Sequence, residues 1–596
     1  MSSRDRVPLL ILLGAIVLAF VGSWLPGRTL FARDLTYLFH PMHVWTAENL
    51  QAGHLPLWNP YVSGGVPWLG QPQTGVLYPG NLLFWIFPFV TGLKMFHALH
   101  FFLSALGGYL WAKSVGGSRP KALAAGLLWS LNGFWRARAE FLPLLAVLSW
   151  TPWMALFYRA RSMVPLAWTG ALSVAAGFWP QVAWSAVLVV TAGGWRRAKG
   201  VWPAIPLAAG LSAAALFPGL ELALRSGRVA EGLGGAAAAY AFSPRQWIGL
   251  VWPWASAMSG AAYTGEKFFW LGCFFTGFVG AALAANAFLK APGRWKIAWA
   301  ALFTAGAVLS LGDATPVFPF LTGHVPPFQW VRFPGQFSFW MTGAALALVT
   351  VGSWKPRPRI AAVVLGLLAV ELLADGAGMY PTIDAGYFHR KPAWISTVQG
   401  AEGRLFLTPR AVGDMSAQGS DVTEAWTRLR EKGLSLTTLP YHLRNVNPIG
   451  FSLNPYSTEK LLSSLYGSPS FRAAIPILNR LNVRWAASPS PLMEEGLVPR
   501  GVGPWNLYER TVPPVPADKR FLQTAEMWDP GWTAWSHGHP LKTENDVGML
   551  SINKDGVVAE DVRFLFRPTA FRAGLWLTLV FWMTLAAWGV QWLTCL

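Results

Sequence analysis

About twelve apolar stretches of near-membrane length, separated by junctions that are alternately basic and neutral, constrain this chain more than any other feature. They lie near 7-25, 90-112, 120-134, 141-158, 164-179, 181-195, 201-222, 267-289, 296-311, 336-353, 360-375 and 571-592. A helix crosses the hydrocarbon core in roughly 20 residues, so the expected fold class is an α-helical polytopic membrane protein. Composition agrees: 53% of the residues are hydrophobic and only 13% charged, which excludes an ordinary soluble domain. Basic residues gather at every second junction: Arg4 and Arg6; Lys113, Arg119 and Lys121; Arg159 and Arg161; Arg196, Arg197 and Lys199; Lys290, Arg294 and Lys296; Lys355, Arg357 and Arg359. By the positive-inside rule this alternation puts both termini in the cytoplasm and the long junctions outside. The net charge of +19 therefore reports orientation, and no nucleic-acid partner is expected. Val7 to Leu25 follows a basic start but has no small-residue cleavage site, so it is expected to remain as the first span.

Three regions are expected. Residues 1-375 form the membrane module, with a first outer loop at 26-80. Residues 376-568 are less apolar, and mix short alternating runs such as "RLFLT" and "VRWAAS" with amphipathic stretches such as "STEKLLSSLYG", which predicts a mixed α/β exoplasmic domain. Turn signals at Asp529-Pro530-Gly531, His537-Gly538 and Lys554-Asp555-Gly556 make its end an antiparallel β module. Residues 569-596 supply the final transmembrane helix. Cys273 and Cys595 match no disulfide framework or metal spacing.

The chain has no Walker A sequence, dinucleotide fingerprint or HExxH, so nucleotide hydrolysis and zinc protease chemistry have no support. Chemistry-bearing residues collect instead at the outer ends of the spans. Asp34 follows the first span, and a carboxylate at that boundary is costly unless paired or useful; it is either a solvated loop residue or a general base for an acceptor hydroxyl. Its neighbour Arg33, with Arg228 in "FPGLELALRSGR" and Arg332 in "FQWVRFPGQF", is either an interfacial arginine or a ligand for an anionic phosphate. Glu140 after "WRARA" can be an acid, a metal ligand or an ion-pair partner of Arg136 or Arg138, and the same alternatives stand for Glu221. Trp45, Trp58, Trp68 and Tyr78 in the first loop can stack on sugars or form an interfacial belt. His97 and His100, three apart on one helical face, suit helix packing.

The run "ARDLTYLFHPMHVWTAENLQAGHLPLWNPYVSGGVPWLGQPQTGVLYPGNLLF" resembles the first-loop signature of YfhO-type bacterial membrane proteins, and "FPGLELALRSGR", "LSLGDATPVFPFLTGHVPPFQWVRFPGQF", "LNRLNVRWAAS", "NLYER" and "DPGWTAW" continue the likeness in order. Such proteins are similar to class C (GT-C) glycosyltransferases, multi-span enzymes that use a polyprenyl-phosphate-linked sugar at the outer side of the membrane. The resemblance implies an inner-membrane enzyme with Asp34 as catalytic base, a lipid-linked donor, and a glycan, glycolipid or protein acceptor. It leaves a divalent metal open, although the first loop offers a lone acidic residue beside the span rather than a pair, Glu48 lying further along. A transporter or flippase of a lipid-linked glycan, or a non-catalytic assembly protein, would use the same arginines without needing Asp34 as a base.

Overall fold

The computed structural model describes residues 5–230, 240–252, 273–325, 328, 331–376, 379–400, 402–413, 422–447, 453–511, 521–553, 558 and 561–594. Each apolar window carries a helix: Arg6–Ala19, Phe89–Ser114, Arg119–Leu131, Leu142–Ala160, Met163–Ala176, Trp179–Gly193, Ala204–Leu211 with Ala213–Leu224, Phe278–Lys290, Gly293–Ser310, Ser338–Val351, Pro358–Gly376 and Thr569–Thr594. Among the described residues only Phe89–Ser114 and Thr569–Ala587 are long and apolar enough to cross a membrane alone, and the pair Ala204–Leu211 and Ala213–Leu224 becomes a third if counted as one bent span. The count of about twelve spans is thus not reached on length, because several windows are shorter helices ended by residues such as Gly177, whose φ of +91° suits glycine. Part of the window 267-289, the turn Lys554-Asp555-Gly556, Arg4 and Cys595 lie outside the described residues.

Close packing among the helices rests on small residues meeting large rings. In Phe89–Ser114, a Cβ at Gly108 would lie 2.6 Å from Trp129, and one at Gly107 would lie 2.8 Å from Trp153. Where a helix breaks, a neighbour repairs its backbone. Ala204–Leu211 and Ala213–Leu224 meet at 87° across Ser212. There the Thr578 hydroxyl of the last helix donates to the Gly210 carbonyl at 3.2 Å and accepts from the Ala214 N–H at 3.0 Å, while the Trp582 indole donates to the Leu211 carbonyl at 3.3 Å. Unpaired backbone is expensive in hydrocarbon, so these side chains are what permits the bend.

Outside the helices, Arg404–Leu407, Val483–Ser488, Asn506–Arg510 and Leu497–Val502 form a four-stranded sheet in that order, parallel at the first pairing and antiparallel at the others. The amphipathic helices Tyr456–Tyr466 and Phe471–Arg480 bury Leu461, Leu465 and Leu478 with Phe406 and Val483 of the sheet. The C-terminal strands pair antiparallel, with His537 and Gly538 both at positive φ in the two-residue turn between Trp532–Ser536 and His539–Leu541.

The first loop does not stand apart from this domain. Arg28–Leu30 pairs antiparallel with Thr382–Asp384. Further along, Ser63 Oγ donates to the Asn447 carbonyl at 2.9 Å and the Gln71 amide donates to the Leu453 carbonyl at 2.5 Å. Gly64 sits at φ +80°, and a Cβ there would lie 2.8 Å from Met527. Chain segments that the sequence assigns to separate regions, 26-80 and 376-568, are packed directly together.

Candidate active site

Asp34 is placed by the strand that precedes it and the helix that follows. Phe31, fully buried, donates its N–H to the Pro381 carbonyl at 2.9 Å and packs its ring on Tyr387 and Trp426. That contact anchors the chain just before it turns into the π-helical residues Leu35–Phe39 and the helix His40–Gln51. A π-helical turn is rare and recurs at functional sites. With Leu35 and Ala32 buried, Arg33 and Asp34 face the remaining space, their side chains 18% and 22% exposed.

In the first turn of this helical run the N–H of Asp34 has no intrahelical acceptor. It donates to Glu140 Oε2 at 3.2 Å. Arg33 forks onto the adjacent carboxylate, Nε to Asp34 Oδ1 at 3.0 Å and Nη2 to Asp34 Oδ2 at 3.2 Å. Glu140 is 1% exposed, and its second oxygen, Oε1, is buried with no hydrogen-bond partner among the described residues. Burial pushes the Glu140 carboxyl up, against the pull of Arg33 and with a further push from Asp34. Burial pulls the Arg33 guanidinium down, but Asp34 and Glu140 outweigh it and leave it raised. The site is an arginine shared by two carboxylates.

The turn that leads into Glu140 is held by two side chains. Tyr380 donates its hydroxyl to the Ala137 carbonyl at 2.5 Å, and His97 Nε2 bonds the Ala139 carbonyl at 2.9 Å. His97, expected as a packing residue, thereby orients the turn that carries Glu140. His100 is satisfied by the Phe96 carbonyl and the Tyr78 hydroxyl. Of the two partners the sequence offers Glu140, neither is used. Arg136 turns to the end of Pro358–Gly376, donating to the Leu372 carbonyl near Asp375, and Arg138 lies over the Phe134 ring at 3.3 Å. Tyr37, buried beside Arg33, Asp34 and Glu140, was not among the expected residues. Its position three residues after Asp34 on a helical run was the available signal, whereas nothing in the sequence ties Tyr380 to Glu140.

Arg228 and Arg332 form a second group. Arg228 is half-buried in the short helix Gly227–Ala230, and its guanidinium is pulled down by burial and by the charge of Arg332, against the pull of Glu459. Arg332 is exposed. Glu221 takes the ion-pair option, 3.8 Å from Arg225, which also bonds Asp529 at 3.0 Å and so ties a membrane helix to the β module. The sugar-stacking expectation needs correcting for three aromatics. Trp45, Trp68 and Tyr78 are at most 3% exposed: Trp45 packs edge-on to Trp68, the Trp68 indole donates to Thr46, and the Tyr78 hydroxyl bonds His100 and Trp150. The loop folds inward onto them, and no ring face is left open. Trp58 is half-buried against Trp532 and Phe566, with its indole on Glu526 at 3.2 Å.

The residues present do not fit a resident divalent metal. Such ions want several oxygen ligands, but the Arg33 guanidinium already lies against the Asp34 carboxylate, and no group of three His, Cys, Asp or Glu side chains suited to a metal occurs among the described residues.

No protein-family model and no curated protein matches the chain. Solved structures do. The arabinofuranosyltransferase AftD from mycobacteria aligns with a TM-score of 0.51 at 16% identity, over 90% of this chain and 43% of that one. The oligosaccharyltransferase AglB from Archaeoglobus fulgidus, in complex with an inhibitory peptide and a dolichol-phosphate, aligns with a TM-score of 0.42 at 13% identity, over 82% and 69%. The chain shares its overall fold with that arabinofuranosyltransferase, and has a β-containing C-terminal part. The chain spans less than half the length of AftD.

Proposed function

We propose that the chain is a glycosyltransferase of the outer face of the bacterial inner membrane, with both termini cytoplasmic, moving a sugar from a polyprenyl-phosphate donor to a glycan, glycolipid or protein acceptor. The observation that carries this reading is the constellation of Asp34 with Arg33 and Glu140, part-open near the start of the first loop in a GT-C-like fold. In an inverting transfer the acceptor oxygen attacks the anomeric carbon and its proton passes to an Asp34 carboxylate oxygen. The bond from the anomeric carbon to the donor phosphate breaks, and the electron pair leaves with the polyprenyl phosphate. Arg228 and Arg332, whose like charges are brought together beside a single carboxylate, would stabilise that developing negative charge. Arg33 serves Asp34 in this scheme rather than the phosphate, because its fork is committed to the neighbouring carboxylate.

The test is transfer by the purified full chain in proteoliposomes, supplied with a panel of polyprenyl-phosphate sugars and an envelope glycan acceptor. Wild type should transfer at least one sugar, and Asp34→Asn, folded as judged by its thermal midpoint, should not. Full activity in Asp34→Asn would remove the base assignment.

A further inference from the structure

We propose that the Arg33 guanidinium is the built-in cation of the Asp34 and Glu140 site, standing where a divalent metal would have to bind, and that removing it turns the two carboxylates into a metal-binding pair. Three features of the site lead there. Arg33 Nη2 donates to Asp34 Oδ2 at 3.2 Å and its Nε lies 3.0 Å from Oδ1, so a divalent ion approaching this carboxylate would sit against a fixed guanidinium charge. Glu140, fastened through Oε2 to the Asp34 backbone, keeps Oε1 buried and without a hydrogen-bond partner among the described residues, a polar atom that normally has one. The Arg33 charge also acts on Glu140, so one guanidinium faces two acids.

Charge count sets what the site can hold. Oxygen sites gain affinity for hard divalent ions with the number of anionic ligands. With Arg33 in place the cluster offers at most a single uncompensated negative charge; without it, two carboxylates fixed together by the Asp34 N–H would offer three free oxygens, and the partial exposure of Asp34 admits water ligands. Arginine does not deprotonate or dissociate in the physiological range, so this cation cannot be removed by a chelator. The consequence for catalysis rests on the transferase reading: transfer should proceed unchanged in EDTA. Metal occupancy itself does not depend on that reading.

Mn2+ binding to the purified full chain, followed by loss of the free-ion EPR signal after chelator treatment and gel filtration, tests the proposal. Wild type should take up no stoichiometric Mn2+. Arg33→Gln should bind a single Mn2+ per chain about a hundredfold more tightly than wild type, and Arg33→Gln combined with Glu140→Gln should lose it again. Stoichiometric binding by wild type that Asp34→Asn abolishes would overturn the proposal, as would the absence of any gain in a monodisperse Arg33→Gln. Should Arg33→Gln fail to fold, the wild-type thermal midpoint decides: no shift with Mn2+ is expected, and a shift that Glu140→Gln removes would overturn it. Because no sugar donor enters these measurements, an inactive protein and a wrong cation assignment give different results.

Discussion

Two ion pairs touch the first loop, one at its tip and one near its start, and they differ in where the arginine spends its donors. At the loop tip, Arg404 is 1% exposed and reaches Glu526 at 2.9 Å, the Leu481 carbonyl at 3.0 Å and the Gly64 carbonyl at 3.2 Å. At the loop start, Arg33 turns its fork onto the neighbouring Asp34, and both side chains remain partly exposed. An arginine that gathers carbonyls from separate segments holds a fold together; one that turns toward a reachable carboxylate leaves that carboxylate available to a ligand. The sharpest way to break this contrast is Asp34→Asn. Transfer should fall by about 10²–10⁴-fold, the usual contribution of a general base, while the thermal midpoint stays near wild type. A large drop in midpoint would make Asp34 a second Arg404 partner in kind, a structural residue.

Arg404→Ala is expected to do the reverse. Removing one partner of a buried pair costs about 3–5 kcal/mol, and here it also frees the Gly64 and Leu481 carbonyls. Thermal unfolding should shift down and limited proteolysis should open the β-containing domain, whereas transfer per folded chain should be little changed. Unchanged protease resistance would mean that the loop tip is held by its other contacts, such as Ser63 to Asn447.

Glu140 sharpens the comparison through pH. Its carboxyl is raised in the folded chain, burial being the main cause. The folded state therefore binds its proton more tightly than the unfolded one. Stability from this group is fully present below the ordinary glutamate value of about 4.3 and is lost as pH rises above it. Glu140→Gln, which keeps the size and an acceptor for the Asp34 N–H, should flatten that loss, so that the mutant's midpoint gains on wild type from about pH 5 to about pH 8. A parallel pH profile for the two proteins would show that Glu140 is compensated in the folded state and carries no burial penalty.

How much of this was legible in advance follows from the range of the forces involved. Helix positions were legible, because apolar windows and basic junctions are local signals; their lengths were not, since Gly177 and Ser212 stop helices within windows that hydropathy alone runs together. Asp34 stood out through its place beside the first span. Its partner did not: Glu140 is 106 residues away, and the nearer Arg136 and Arg138 were the obvious partners until Leu372 and Phe134 claimed them. The aromatic loop residues were legible as a class but not by role, because Trp45, Trp68 and Tyr78 differ from open stacking platforms only in having the loop folded over them. Arg228 and Arg332 share a field only because Gly227–Ala230 and the segment before Ser338–Val351 converge, which no sequence spacing reports.

The smallest test extends the contrast to a tie without charge. Thr578 spans the break at Ser212, donating to the Gly210 carbonyl and accepting from the Ala214 N–H. Thr578→Val keeps the shape and removes both bonds, leaving two backbone groups of the bent pair without this partner. A net hydrogen bond is worth about 1 kcal/mol, and the penalty in an apolar surrounding is set by whether Trp582, already on the Leu211 carbonyl, or a water can take over. A modest fall in thermal midpoint is therefore expected, well short of that of Arg404→Ala, with transfer unaffected because the break lies on a different helix pair from Asp34. If Thr578→Val instead abolished transfer while the midpoint held, the 87° bend would belong to the working machinery, and the division between ties that hold the fold and groups that act would have to be redrawn to include it.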